Sequence, residues 1–322
     1  TADYSLKEGM IVVVDEAGLI GNIELNLLKE ECVATGARVL FVGDHKQCFP
    51  VSQSEKQSVP AYEETELKMV LTVPKRVDLD NTIFKLSEAY RNTVDGARQP
   101  KLKTLLNADG KTGVRVVDDI EEYSYMAFKA GVRDGNVDKI KVLAFTNQRC
   151  LTLNRKIRKQ VMGLKDPTPV VGEVMVANTA INSAATSDIL IYNNQKVIVK
   201  EVEKTSSYGL DGAFIQFTNM DGEDIEETVF VAATPAKLQE RLKQMAREAK
   251  EMLKTDPDKA KLLWRAFYSL KEGVADIRYT YAMTVNKAQG TTLHHALIDL
   301  SDISICKDKE QAARLAYTAV SR

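Results

Sequence analysis

The sequence predicts an α/β protein that carries an antiparallel β segment and a pair of helices as an insertion. Three observations carry this. Met10 to Glu16 (MIVVVDE) and Val39 to Gln47 (VLFVGDHKQ) are short β-branched runs ending in polar residues, which is how buried parallel strands deliver side chains to their carboxyl ends. Between Val170 and Val231 the pattern changes to brief strand-like runs separated by Asn-Asn, Tyr-Gly and Asp-Gly turn signals, as in a small antiparallel barrel. Pro235 to Tyr268 then reads as two charged amphipathic helices broken at Asp256-Pro257, after which α/β patterning resumes at Tyr279.

The bulk numbers exclude more than they assign. The chain has 322 residues, 44% hydrophobic and 28% charged, so it has the composition of a folded multidomain protein rather than a disordered tail. A net charge of −1 gives no global signal for nucleic acid or membrane. Cys32, Cys48, Cys150 and Cys306 are widely spaced without a CxxC pair, which fits a reducing cytoplasm. His45, His294 and His295 do not form a metal set, because the last two are neighbours that a strand would point to opposite faces. No run approaches the roughly 18 apolar residues of a membrane helix. The chain opens at Thr1 and closes on Arg322 directly after an apolar run, and both ends read as cut.

Residues 10 to 47 predict strand, helix and strand, with Ile23, Leu27 and Leu28 at helical spacing and Thr35-Gly36 as the break. Pro50 to Glu66 turns polar and predicts a surface loop. Met69 to Thr72 predicts a brief strand with Arg76 just past its end, and a helix follows from about Asn81 to Thr93. Asp109-Gly110-Lys111-Thr112 imitates the end of a phosphate loop, but Leu105 stands where the first glycine is needed, and a hairpin turn before the strand Val114 to Val117 is the better reading. Lys141 to Asn147 predicts another buried strand ending in Thr146 and Asn147. The helix Cys150 to Val161 should turn Leu153 and Ile157 inward and Arg155, Lys156, Arg158 and Lys159 outward, a face compatible both with solvent and with phosphate. Within the helical pair, Leu238, Leu242, Met245, Leu262, Leu263, Trp264 and Phe267 form the expected apolar stripes, with Trp264 and Phe267 read as core in preference to a base-stacking platform. TVNKAQGTT (284 to 292), a strand at Ala296 to Leu300, a helix at Gln311 to Ala316 and the terminal YTAVSR complete the chain.

The polar strand ends share one rim. Asp15 and Glu16 supply paired carboxylates of the kind that hold a metal and polarise water, and Asp44 and Gln47 arrive beside them from the next strand. A helix N-cap is the bland reading of an Asp-Glu pair at a strand end. This is half of a nucleoside-triphosphate site, because the sequence contains no G-x-x-x-x-G-K-[ST] loop.

Taken in order, these runs resemble superfamily 1 helicases, in the 5′-to-3′ branch of RecD-like and phage-type enzymes. Asp15-Glu16 is similar to motif II, Gly43-Asp44-His45-Lys46-Gln47 to motif III, Leu71-Thr72 with Arg76 to motif IV, Thr284 to Gly290 to motif V and Tyr317 to Arg322 to motif VI. The resemblance implies two RecA-like lobes of the P-loop NTPase class: the first incomplete at 1–68, the second at 69–169 and 277–322. The insertion at 170–276 would be an SH3-like barrel with a helical tower.

By the same resemblance Asp15 would hold Mg²⁺, Glu16 would activate the attacking water, Gln47 would sense the γ-phosphate of ATP with Asp44 beside it, and Arg76 and Arg322 would act as arginine fingers. Gln289 and Gly290 would face the nucleotide. Thr146, Asn147, Thr284, Asn286 and Lys287 would line a path for single-stranded DNA at a fork, Asn286 standing where the phage enzymes carry histidine. For Thr146 a local turn within its own strand end fits equally well. The implied activity is ATP-dependent DNA unwinding by a cytoplasmic monomer, with single-strand-binding or replisome proteins as further partners. Lacking the phosphate loop, the chain is expected to be inactive alone. A catalytically dead nucleic-acid binder and an RNA-directed helicase are the competing readings.

Overall fold

The computed structural model describes residues 5–50, 59–63, 65, 67–73, 78–183, 185–186 and 188–322. Arg76 lies outside the described residues, as does most of the predicted polar loop. The chain divides into two compact units, 1–152 with 282–322, and 153–281.

In the first unit β1 (Ile11–Val14), α1 (Asn22–Thr35) and β2 (Arg38–Phe41) make the predicted strand, helix and strand, the strands parallel with Val14 level with Phe41. Gly36 ends α1 at φ +71°, the left-handed conformation that favours glycine. The short helix α2 (Pro60–Glu63) brings Ala61 against Ala17 and Leu25. The segment 67–73 is exposed and has no regular structure, so the strand expected at Met69 to Thr72 does not form. Its apolar residues find no ladder partner among the described residues, and four residues of β-propensity do not make a strand without one.

Asn81 caps α3 (Thr82–Val94), its side chain accepting the Ile83 N–H at 2.8 Å. β3 (Leu105–Leu106) and β4 (Gly113–Val114) pair antiparallel across a turn in which Asp109 accepts from the N–H groups of Lys111 and Thr112. The Asp-Gly-Lys-Thr run is therefore a hairpin, as the misplaced glycine implied. Asp119 caps α4 (Ile120–Arg133). β5 (Ile140–Ala144) is buried along its whole length, and α5 (Asn147–Gln160) carries the chain into the second unit at Leu153.

The second unit holds β6 (Val174–Ala177), β7 (Ile181–Asn182), β8 (Ile189–Ile191), β9 (Lys196–Ser207), β10 (Leu210–Thr218), β11 (Val229–Ala232), α6 (Pro235–Met252), α7 (Pro257–Gly273) and β12 (Ile277–Tyr279). Five strands form an antiparallel sheet in the order β11-β10-β9-β6-β12, and β7 and β8 pair separately. Alternating residues, among them Met175, Val197, Val199, Ile215 and Phe217, fill its core. The unit is wider at both ends than the predicted 170–276 insertion.

Two expectations fail here. Arg158 does not face solvent: its side chain is 3% exposed and forms a two-pronged ion pair with Glu173 at 2.8 and 2.9 Å. Its remaining N–H groups reach the carbonyls of Asp166 and Thr168, and it lies 4.2 Å over the Tyr279 ring. Such a pair tolerates burial because every polar group in it is satisfied. In the helical pair the core is Leu238 and Leu270 with Leu242 and Met245, whereas Leu262 is 61% exposed and Trp264 and Phe267 are only half-buried. Leu262 lies well off the buried stripe of Ala260, Leu270 and Val274, and Trp264 stands at its edge.

The chain re-enters the first unit at β13 (Ala282–Thr284), followed by α8 (Val285–Ala288), β14 (His295–Ile298), α9 (Leu300–Ile303) and α10 (Lys309–Val320). β13 and β14 flank β5 in a three-stranded parallel sheet. Cys48, delivered just past β2, joins Leu143, Val285, Ala288, Leu315 and Ala319 in the core beside this sheet.

Candidate nucleotide and nucleic-acid site

The parallel pairing of β1 and β2 sets the rim on which the motif residues stand. β1 ends at Val14, Asp15 is exposed, and its carboxylate accepts the N–H of Glu16 at 2.8 Å. Glu16 adopts a left-handed backbone, φ 50° and ψ 41°, which is uncommon for a residue with a side chain. It occupies the N-cap position of the short 3₁₀ turn Ala17–Leu19 yet makes no capping hydrogen bond, so the bland reading of the Asp-Glu pair is not what the chain does. Its carboxylate instead accepts from the Gln289 amide at 3.2 Å and stands 3.9 Å from the Arg322 guanidinium, whose side chain is 3% exposed. Gly290, at φ +80°, brings the backbone of the same loop close enough that a Cβ there would lie 3.8 Å from the Glu16 side chain. Glu16, Gln289, Gly290 and Arg322, up to 306 positions apart in the chain, are thus gathered at one point.

The loop after β2 is held from the other side by α10. Asp44 accepts the N–H of Lys46 at 3.0 Å with one oxygen and the phenol of Tyr317 with the other. Arg314 donates to the carbonyls of His45 and Gln47 and stacks 4.0 Å over Phe49, and the Thr318 hydroxyl accepts the N–H of Cys48 at 3.2 Å. Burial, with the Asp44 charge behind it, pushes the Tyr317 phenol well above its ordinary range, so it remains a donor. Burial likewise raises the Cys48 thiol to about 11 and outweighs Asp44 at His45, whose pKa falls. Sequence reasoning placed Tyr317 to Arg322 in one motif but gave a role to Arg322 alone, just past this helix, and passed over Arg314. The i, i+3, i+4 spacing of Arg314, Tyr317 and Thr318 on an otherwise apolar face was the available signal.

Two side-chain oxygens at this centre, Gln47 Oε1 and Gln289 Oε1, are buried without a hydrogen-bond partner among the described residues. Each such acceptor costs about 1–3 kcal/mol until a donor arrives. Water or a ligand hydroxyl supplies one. No cluster of three or more His, Cys, Asp or Glu among the described residues could hold a metal by itself. A lone exposed carboxylate such as Asp15 fits a divalent cation that takes its other ligands from phosphate and water. The donor set is therefore compatible with a metal–nucleotide complex.

The candidate nucleic-acid residues stand at the ends of neighbouring strands, Thr284 being level with Ala144 across β13 and β5. Thr284 caps α8, accepting the Lys287 N–H at 3.4 Å. Asn286 and Lys287 are half-buried on α8, and Asn147 opens α5 exposed to solvent. Thr146 is different. Its hydroxyl donates to Asp302 at 3.0 Å and accepts the Arg149 N–H at 3.1 Å, and its own N–H is taken by Asp302 at 2.7 Å. The bond from Arg149 is the local turn expected at this strand end, and Asp302 takes the other two groups. Asp302, which sequence reasoning passed over, is the residue that organises this strand end.

A family model described as an AAA domain matches residues 2–110. The ATP-dependent DNA helicase dda of Enterobacteria phage T4 is 25% identical over 98% of this chain and 74% of that protein. The crystal structure of Pif1 helicase from Candida albicans aligns with 96% of this chain and 69% of that one at a TM-score of 0.46 and 13% identity. The segments carrying Glu16, Asp44, Gln289 and Arg322 are joined by side-chain contacts, in a chain 98% of which aligns with the phage enzyme. The chain is thus similar over nearly its whole length to the phage helicase Dda.

Proposed function

We propose that the chain is the motor part of an ATP-dependent DNA helicase that moves 5′ to 3′ on single-stranded DNA and opens the duplex ahead of it. The observation that carries this is the orientation of Glu16, which forgoes its own helix N-terminus and meets Gln289 and Arg322 from the far end of the sequence. In this reading Glu16 orients and deprotonates the attacking water while Gln289 holds that carboxylate in place and offers its orphaned oxygen to the same water. Arg322 spreads charge developing on the phosphoryl group, and Asp15 is the protein's ligand to Mg²⁺. ATP with Mg²⁺ supplies the phosphoanhydride bond whose hydrolysis drives the cycle. Gln47 and Asp44, tied through their loop to α10, relay the state of that site to the second strand-end cluster. There Asn147, Thr284, Asn286 and Lys287 grip the sugar-phosphate backbone without reading sequence. Arg76 is proposed as the second arginine on motif resemblance alone.

The sequence contains no G-x-x-x-x-G-K-[ST] loop, so the 322-residue chain by itself is expected to give no measurable DNA-stimulated ATPase. Robust turnover by the purified chain would overturn that assignment. In a longer protein that joins this chain to such a loop, Glu16→Gln should retain ATP binding and lose hydrolysis by at least about 100-fold. Unwinding at the unsubstituted rate in that variant would remove Glu16 from the mechanism.

A further inference from the structure

The outer face of α7 is used by neither the hydrophobic core nor the proposed nucleotide site. At 3.6 residues per turn, Lys261, Trp264, Arg265, Tyr268 and Lys271 fall on one stripe along the helix. Trp264 stacks edge-on to Phe267 at 5.3 Å and lies 6.0 Å from Tyr268, and Phe267 meets Tyr268 at 5.2 Å, so the three rings form one cluster. The cluster is not interior. Tyr268 is 49% exposed, Trp264 and Phe267 are half-buried, and α7 packs on α6 through Leu270 and its neighbours instead. Lys261, Arg265 and Lys271 are exposed and form no ion pair among the described residues.

Rings flanked by uncommitted cations suit a polyanion that also presents flat apolar surfaces. Single-stranded DNA has both: its phosphates meet Lys and Arg, and its bases stack on aromatic side chains whatever the sequence. Duplex DNA hides its base faces. Lysine is depleted at protein–protein interfaces, so a stripe with Lys at both ends is a poorer fit to a protein partner. We infer that α7 carries an auxiliary single-strand platform, in which Trp264 and Tyr268 stack bases and Lys261, Arg265 and Lys271 hold phosphates. The inference rests on the DNA-motor reading only for the identity of the polyanion, and it is independent of the nucleotide site.

Trp264 is the sole tryptophan in the chain, so selectively excited tryptophan emission arises from this stripe alone. Titrating the full chain with oligo(dT) should quench Trp264 emission saturably. Tyr268→Ala should weaken the quench-derived affinity by about tenfold, the effect of one lost stacking partner. The double variant Lys261→Gln/Arg265→Gln should lower the log–log salt slope by about 1.4, two phosphate contacts on a single strand. Both variants alter exposed side chains, and unchanged far-UV circular dichroism verifies their folding. Anisotropy of labelled oligo(dT), read in parallel, registers binding anywhere on the chain. Binding by anisotropy without a change in Trp264 emission, or equal affinities for all three proteins, would overturn the platform and leave the motor reading standing. If the strand binds by neither readout, the platform and the DNA-binding part of the motor reading fall together.

Discussion

Replacing Glu173 should destabilise the second unit far more than replacing it together with Arg158. The Glu173 carboxylate is 7% exposed and accepts from both prongs of Arg158, from the Val170 N–H at 2.9 Å and from the Tyr281 phenol at 3.1 Å. Glu173→Leu removes the countercharge and leaves a guanidinium that is 3% exposed with the carbonyls of Asp166 and Thr168 and the Tyr279 ring to hold it. Orphaning a buried charge in this way costs about 3–5 kcal/mol. With a denaturant slope of about 2 kcal/mol/M, the urea midpoint should fall by about 2 M. The double variant Arg158→Met/Glu173→Leu replaces the pair by apolar side chains of similar size and should recover most of that loss, because two desolvation penalties disappear with the attraction. Trp264 lies in the same unit and follows its unfolding without a label. A Glu173→Leu midpoint within about 0.3 M of the parent, or a double variant no better than the single, would show that Arg158 is not held as a buried ion.

Gly43 has φ +155°, and a Cβ there would collide with the Tyr62 hydroxyl and sit 3.2 Å from the Ala17 N–H. Gly43→Ala should therefore displace the loop carrying Asp44 and Gln47, lowering the thermal midpoint of the first unit by several degrees in calorimetry, and an unchanged midpoint would show that the loop has slack. Burial opposes the charge on Asp299, yet hydrogen bonds from Ser301, Arg149 and the Asp302 N–H outweigh it, so its folded pKa lies below the ordinary carboxylate value. A depressed pKa stabilises the fold above about pH 4 and the contribution is lost as pH falls through the folded value. Thermal melts from pH 6 to 3 should thus show a steeper acid loss for the parent than for Asp299→Asn, and parallel curves would contradict it.

The sequence was most informative where function forces an unusual local pattern. The strands ending in Asp15-Glu16 and Gly43-Asp44, and the glycine and glutamine at 289–290, announce themselves because polar residues interrupt apolar runs at fixed places. The contacts made between distant segments were not legible in that way. Nothing near Asp44 says that Tyr317 will meet it, and nothing in α5 distinguishes Arg158 from the solvent-facing Arg155 until Glu173 closes on it from another segment. The bond from Thr146 to Asp302 was likewise illegible, because the two are 156 positions apart. The segment at Met69 to Thr72 had strand composition and lacked only a neighbour to pair with, which composition does not encode.

The adjacency of β5 and β13 has a consequence for how the chain assembles. These strands are hydrogen-bonded neighbours, yet the whole of 153–281 is emitted between them. Were that stretch a slack coil, lengthening the connection from about 15 to about 130 residues would cost roughly three doublings of loop length, or about 2 kcal/mol of closure entropy. A second unit that folds first pulls its two ends together and removes most of that cost. Topology thus favours an order in which the insertion condenses, β13 docks on β5, and α10 then fastens the Asp44 loop. A lesion that slows the insertion's folding, even one remote from Asp44, should therefore delay the closing of α10 on the Asp44 loop.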